Sequence, residues 1–135
     1  FIEARKRNFE YLKAQFGDLE DALILPKATP DSEPYRFGFP ITVRESAKVS
    51  RMELLTRLEA AKIGTRLMFA GNLIRQPAMA GYTFRVSGSL DQADRIMNQT
   101  FWVGVYPGLG TAELDHVAAT IRAMIRTKGH KSQSA

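Results

Sequence analysis

The stretch FAGNLIRQPAM, Phe69 to Met79, holds the side chains best suited to grip a ligand. Arg75 stands between two amides, Asn72 and Gln76, and Pro77 stiffens the exit. A guanidinium holds a carboxylate or phosphate through two parallel hydrogen bonds. The amides carry both donors and acceptors, which suits sugar hydroxyls. Loops just past strand ends are where small domains place binding groups, and this one follows a strand-like run, Thr65 to Phe69. The same residues also suit a structural role, with Arg75 capping backbone carbonyls and Asn72 closing an Asx-turn. Spacing alone leaves both roles open.

Other chemistry is sparse. His116 and His130 fall on the last helix and in the tail, without a partner at metal-ligand spacing. Cysteine is absent, which excludes disulfides, thiolate chemistry and Cys-ligated clusters from this chain. VYPGLG is neither a Walker loop nor a dinucleotide fingerprint and reads as a strand stop. Glu3, Glu10, Glu53, Glu59 and Glu113 fall on predicted helix exteriors, as solvated or dipole-complementing groups. Lys27 and Lys62 are nominal Schiff-base candidates without an obvious apolar pocket. The expectation is that this chain carries no catalytic residue and no metal site.

The net charge of +5 invites a nucleic-acid reading. The basic residues are scattered, however. Arg5, Lys6 and Arg7 make one cluster, and Arg122, Arg126, Lys128 and Lys131 line the last helix and tail, where they complement the helix dipole. No nucleic-acid partner is expected. Nor is a membrane partner, because no apolar run reaches transmembrane length. The lack of cysteine and the charged, helical opening FIEARKRNFE, without a leader pattern, fit a cytoplasmic protein.

These residues need elements to position them. Residues 1–16 read as a helix with Ile2, Phe9, Leu12 and Phe16 on one face and Gly17 as its stop. It lacks an N-cap signal and begins on Phe, which predicts the end of a longer, interdomain helix. Leu23 to Leu25 offers a short strand. Phe37, Phe39, Ile41 and Val43 alternate onto one face of another, with Pro40 placing it at an edge or a bulge. Ser50 and Glu53 form a capping box for a helix to Ala61, and Gly64 ends the turn after it. Ser89 and Gln92 repeat that pattern before Leu90, Ala93, Ile96 and Met97. Thr100 to Tyr106 reads as a strand with Phe101, Val103 and Val105 opposite Trp102 and Tyr106. Thr111 caps a helix striped by Leu114, Val117, Ala118, Ile121 and Ile125, with Gly129 as its end.

The predicted fold class is therefore α/β (α+β), a small mixed sheet of three to four strands with helices packed on one face. A helix between the first two strong strands suggests a right-handed crossover. The predicted organisation is an interdomain helix end at 1–16, one small domain at 17–129 and a disordered tail at 130–135. So small a sheet leaves its second face for another domain or subunit to cover.

The segments PYRFGFPITVRES, LLTRLEAAKIGTRLMFAGNLIRQPAM and DRIMNQTFWVGVYPGL, in that order, resemble the C-terminal part of the DegT/StrS-type family of pyridoxal-phosphate-dependent nucleotide-sugar enzymes. The resemblance covers nearly the whole chain. It is nearest to the branch of 3-dehydratases that act on CDP-4-keto-6-deoxyglucose for the dideoxysugars of lipopolysaccharide O-antigens. GNLIRQP and NQTFWVGVYPGL are its most specific parts. Sugar aminotransferases of the same family usually carry a Tyr/His-rich stretch in place of FAGNLIRQP.

The resemblance implies a fold-type I enzyme whose larger N-terminal domain holds the cofactor, PLP or its PMP form. In the dehydratase branch a histidine replaces the usual Schiff-base lysine, and neither His116 nor His130 matches it. A flavin/iron–sulfur reductase completes the deoxygenation, and the enzyme works as a homodimer on a CDP-sugar. The chain alone would bind no cofactor and be inactive. Asn72, Arg75 and Gln76 would contact substrate from a loop that closes on the active site, and Trp102 and Tyr106 would either shape that cleft or pack the sheet. Alternatives are the corresponding domain of a sugar aminotransferase and a free-standing anion-binding regulatory module.

Overall fold

The computed structural model describes residues 1–130; the tail expected over 130–135 begins one residue too early, because His130 belongs to the last helix, and its remainder lies outside the described residues. Helix α1, Ile2–Gln15, buries Phe9 and Leu12, and Phe16 follows fully buried at its C-terminal end. Ile2 was expected on the same face but is exposed, because the core begins one turn further along. After a 3-10 turn at Gly17–Leu19 come strand β1, Leu23–Ile24, and strand β2, Gly38–Val43. Helix α2 spans Arg51–Ala60 and strand β3 Thr65–Leu67. Helix α3, Asp91–Gln99, runs directly into strand β4, Thr100–Gly104. Helix α4 covers Thr111–His130.

The four strands form one sheet in the order β1-β2-β4-β3, and every neighbouring pair is antiparallel. The expected parallel relation survives only between β2 and β3, which do not touch. The last strand is inserted between them. Alternation in β2 and β4 sends Phe39, Ile41, Val43, Phe101 and Val103 into the core. There α1, α2 and α4 contribute Phe9, Leu12, Leu54, Leu58, Leu114, Val117, Ala118 and Ile121. Phe39 is the aromatic centre, with ring centroids 4.8 Å from Phe9 and 5.8 Å from Phe16.

Pro40 sits in a continuous ladder opposite Trp102, without a slip in register. On its other side β1 reaches only Thr42 and Val43, so β2 is locally an edge at the proline. No bulge is needed to accommodate the missing N–H. Phe37 does not share the core face. The chain turns at Arg36, φ 53°, and Phe37 lies exposed against Trp102 on the opposite side, centroids 5.4 Å apart.

Helix ends differ instructively from expectation. The Ser50–Glu53 capping box forms in both directions. At the other end of α2 the left-handed position is Lys62, φ 62°, not Gly64. Lys62 N–H donates to Glu59 O and Ile63 N–H to Leu58 O, both at 2.9 Å, which is a Schellman closure around a lysine. Before α3, Ser89 Oγ accepts only from Asp91 N–H, at 3.2 Å, and Gln92 does not reciprocate. Leu90 is the N-cap and no α3 side chain is buried. Thr111 lies inside α4 rather than capping it, and Glu113 Oε2 accepts from Gly110 N–H at 2.9 Å. Gly129 lies within α4 and does not end it.

Two polar devices fasten the helices. Arg122 on α4 donates to both oxygens of Asp18, at 2.5 and 2.6 Å, and to the Gln15 carbonyl at the end of α1. Arg126 adds a bond to Asp18 at 3.0 Å. The hydrogen bonds and charge of Arg122 hold the Asp18 carboxyl down at about 2. Asn8, buried in α1, donates to the Tyr106 carbonyl at 2.9 Å and so fixes the exit from β4.

Candidate functional site

Strand β3 ends at Leu67, two residues before the sequence pattern suggests, because the chain turns sharply. Phe69 adopts φ 45° with its side chain almost wholly exposed, and Gly71 adopts φ 63°. A left-handed conformation is uncommon for a bulky residue and marks a constrained turn. Two 3-10 turns follow, Leu73–Arg75 and Pro77–Met79. Gly71 lies so close to α3 that a Cβ there would stand 2.7 Å from Met97 Cα. That approach seats the start of the loop on the last turn of α3.

The side chains predicted to bind then separate by role. Asn72 is buried and donates Nδ2–H to Asp94 Oδ1 at 2.7 Å. Arg75 donates Nε–H to Oδ1 at 2.5 Å and Nη2–H to Oδ2 at 2.6 Å. Asn72 and Arg75 therefore converge on one carboxylate. Gln76 turns back and donates to the Ala70 carbonyl at 2.7 Å, which closes the loop on itself. Arg75 remains over half exposed, with its Nη1 edge outside the clamp.

Asp94 is the residue that sequence reasoning missed. Its carboxyl is held down at about 2, first by the hydrogen bond from Arg75 and then by that from Asn72, against an opposing effect of burial. The same pairing raises the Arg75 guanidinium further above its usual value. The one available signal was Asp91 and Asp94 together in the first turn of α3. Charge at that position suits the helix dipole anyway, so it did not point to Arg75.

Trp102 and Tyr106 do not share a cleft. Trp102 lies over Gly38, where any Cβ would collide with the indole at 2.4 Å. With Phe37, Pro40, Met68 and Phe69 it lines a hollow of about 190 Å³ on the second face of the sheet, at the root of the loop. Tyr106 lies past the end of β4 and lines a larger cleft of about 520 Å³ with Lys62, Glu113 and His116. His116 Nε2 is 2.9 Å from the Ala61 carbonyl, so the histidine ties α4 to the end of α2. Among the described residues no group of three or more His, Asp or Glu could hold a metal ion. No helix among them is long and apolar enough to cross a membrane.

Comparison with known proteins gives this geometry a context. The family model described as the DegT/DnrJ/EryC1/StrS aminotransferase family matches residues 1–122. The lipopolysaccharide biosynthesis protein RfbH of Salmonella typhimurium is 56% identical over 119 residues, which is 88% of this chain and 27% of that protein. The dTDP-4-dehydro-2,6-dideoxy-D-glucose 3-dehydratase of Saccharopolyspora spinosa is 41% identical over 125 residues, 93% of this chain and 27% of that protein. Among solved structures, the E. coli GDP-4-keto-6-deoxy-D-mannose-3-dehydratase with bound hydrated PLP superposes with a TM-score of 0.79 at 26% identity. That match covers 89% of this chain and 30% of that one. The chain thus spans 27% of the length of these two curated relatives.

Proposed function

Because the chain belongs to the DegT/DnrJ/EryC1/StrS aminotransferase family, we propose that it is the C-terminal small domain of a PLP/PMP-dependent nucleotide-sugar 3-dehydratase. The substrate would be CDP-4-keto-6-deoxyglucose, deoxygenated at C3 for O-antigen dideoxysugars. The observation that carries this reading is the 56% identity to a lipopolysaccharide biosynthesis protein across most of the chain. The 41% identity to a sugar 3-dehydratase supports it.

The residues present here do not fit the cofactor. Lys27 and Lys62 are both exposed; Lys62 borders the cleft beside Tyr106 and His116 but stays in contact with water, without the burial that activates a Schiff-base lysine. The cofactor would be held by the remainder of a longer protein, and this chain alone would be inactive. Its contribution would be the loop after β3. Arg75 would present its outward edge to the substrate, Asn72 would hold the loop against α3, and Gln76 would lock its curvature. The full-length enzyme would be a cytoplasmic homodimer that hands its product to a flavin/iron–sulfur reductase.

The test is the full-length protein assayed with CDP-4-keto-6-deoxyglucose and PMP. Loss of the 3-hydroxyl, with a histidine at the cofactor-lysine position, is the expected outcome. Amino transfer to the 4-keto group, with a lysine there, would instead identify an aminotransferase. Arg75→Ala in the active enzyme should raise KM or lower kcat/KM by about tenfold or more, the worth of a charge-assisted contact.

A further inference from the structure

Arg75 carries its counter-ion with it. The Asp94 carboxylate occupies Nε and Nη2 in the two-point geometry that a guanidinium otherwise offers to a phosphate or carboxylate ligand. Asn72 holds Oδ1 from the buried side, at 2.7 Å, so the carboxylate is fixed by a second side chain of the same loop. The neighbouring cation on α3, Arg95, turns to Gln92 instead. What remains for a ligand is the Nη1 edge, a set of N–H donors whose positive charge is already balanced.

Resting on the reading of Arg75 as a substrate contact, we propose that Asp94 is a positioning and charge-neutralising residue. It aims the Nη1 edge of Arg75 outward and restricts it to an uncharged oxygen of the sugar, a hydroxyl or the keto group, rather than a phosphate. A phosphate brought to Nη1 would face the Asp94 carboxylate across the same guanidinium, and like charges at such range discriminate against a ligand. A neutral oxygen accepts the same hydrogen bonds without that repulsion. The diphosphate of the nucleotide sugar must then be neutralised by cations elsewhere in the enzyme.

The experiment uses the full-length protein and inorganic phosphate as the probe. Asp94→Asn keeps an oxygen for Asn72 and Arg75 but removes the charge. It should lower the inhibition constant of inorganic phosphate by about tenfold and raise KM for the nucleotide sugar more than it changes kcat. Arg75→Ala added to D94N should abolish the gained phosphate inhibition. Asp94→Glu, which keeps the charge, should stay as insensitive to phosphate as the wild type. Equal phosphate inhibition in wild type and D94N, with R75A impaired, would overturn the role of Asp94 alone. An R75A enzyme with unchanged substrate binding would overturn the reading of Arg75 and this inference together.

Discussion

Gly71→Ala tests the joint on which the candidate site depends. Gly71 adopts φ 63°, and a Cβ added there would meet Met97 Cβ at 2.5 Å, Cα at 2.7 Å and Cγ at 2.8 Å. The left-handed conformation costs a residue with a Cβ about 1–2 kcal/mol. Overlap with the backbone of α3 cannot be relieved by rotating a side chain, and forced repacking of this kind costs about 1–3 kcal/mol. The sum is roughly 2–5 kcal/mol. A domain of this size has a total stability of roughly 7–20 kcal/mol, so the variant should still fold. With a urea dependence of about 2 kcal/mol per molar, its unfolding midpoint should fall by about 1–2.5 M. Gly88→Ala is the control, because Gly88 also has positive φ, 75°, but nothing within 4 Å of the added Cβ. It should lose only the conformational share, about 1–2 kcal/mol. Equal losses in G71A and G88A would refute the close approach of the loop to α3. The displaced loop should also break the clamp on Asp94. In the full-length enzyme G71A should therefore weaken substrate binding while G88A leaves it unchanged.

At the end of α2, Lys62→Gly should stabilise by about 0.5–1 kcal/mol, because glycine fills the left-handed position without strain. Gly64→Ala should be neutral or slightly stabilising, since Gly64 has neither a positive φ nor a neighbour within 4 Å; both are read from thermal midpoints. Phe39→Ala removes the aromatic centre of the core and should cost about 3–5 kcal/mol by urea unfolding. The Asp18 and Asp94 carboxyls, both held at about 2 by their arginines, contribute to the acid limb of stability. Their folded values lie below the unfolded value of about 3.9, so their contribution is complete above that pH and lost as pH falls toward 2. Asp18→Asn should flatten the decline between pH 4 and pH 2, measured as the urea midpoint at each pH.

The core was legible because period-2 and period-3.6 patterns state which side chains must leave water. Phe39, Ile41, Phe101, Val103 and the α4 stripe all lie where alternation puts them. The capping box at Ser50 was legible for a similar reason, since both partners are local in sequence. What escaped the sequence was set by tertiary contact. Phe37 continues the alternation but lies on the wrong side of a turn at Arg36. Tyr106 continues the strand pattern but falls beyond its end. Asn72, Arg75 and Gln76 lie in one loop after β3, yet the partner that organises Asn72 and Arg75 lies 22 and 19 residues away on another helix. No periodicity announces a pairing of that kind.

The insertion of β4 between β2 and β3 also sets the order of events in folding. The two earlier strands share no hydrogen bond, so α2 can link them but cannot make them a sheet. Their common partner begins at Thr100, whose hydroxyl meets that of Thr42 across 58 residues of chain at 2.8 Å. Nearly all strand pairing must therefore wait for long loops to close, which is the slow kind of assembly. During synthesis everything before α3 leaves the ribosome without the strand that joins it. The pairing edges of β2 and β3 stay open until that strand arrives.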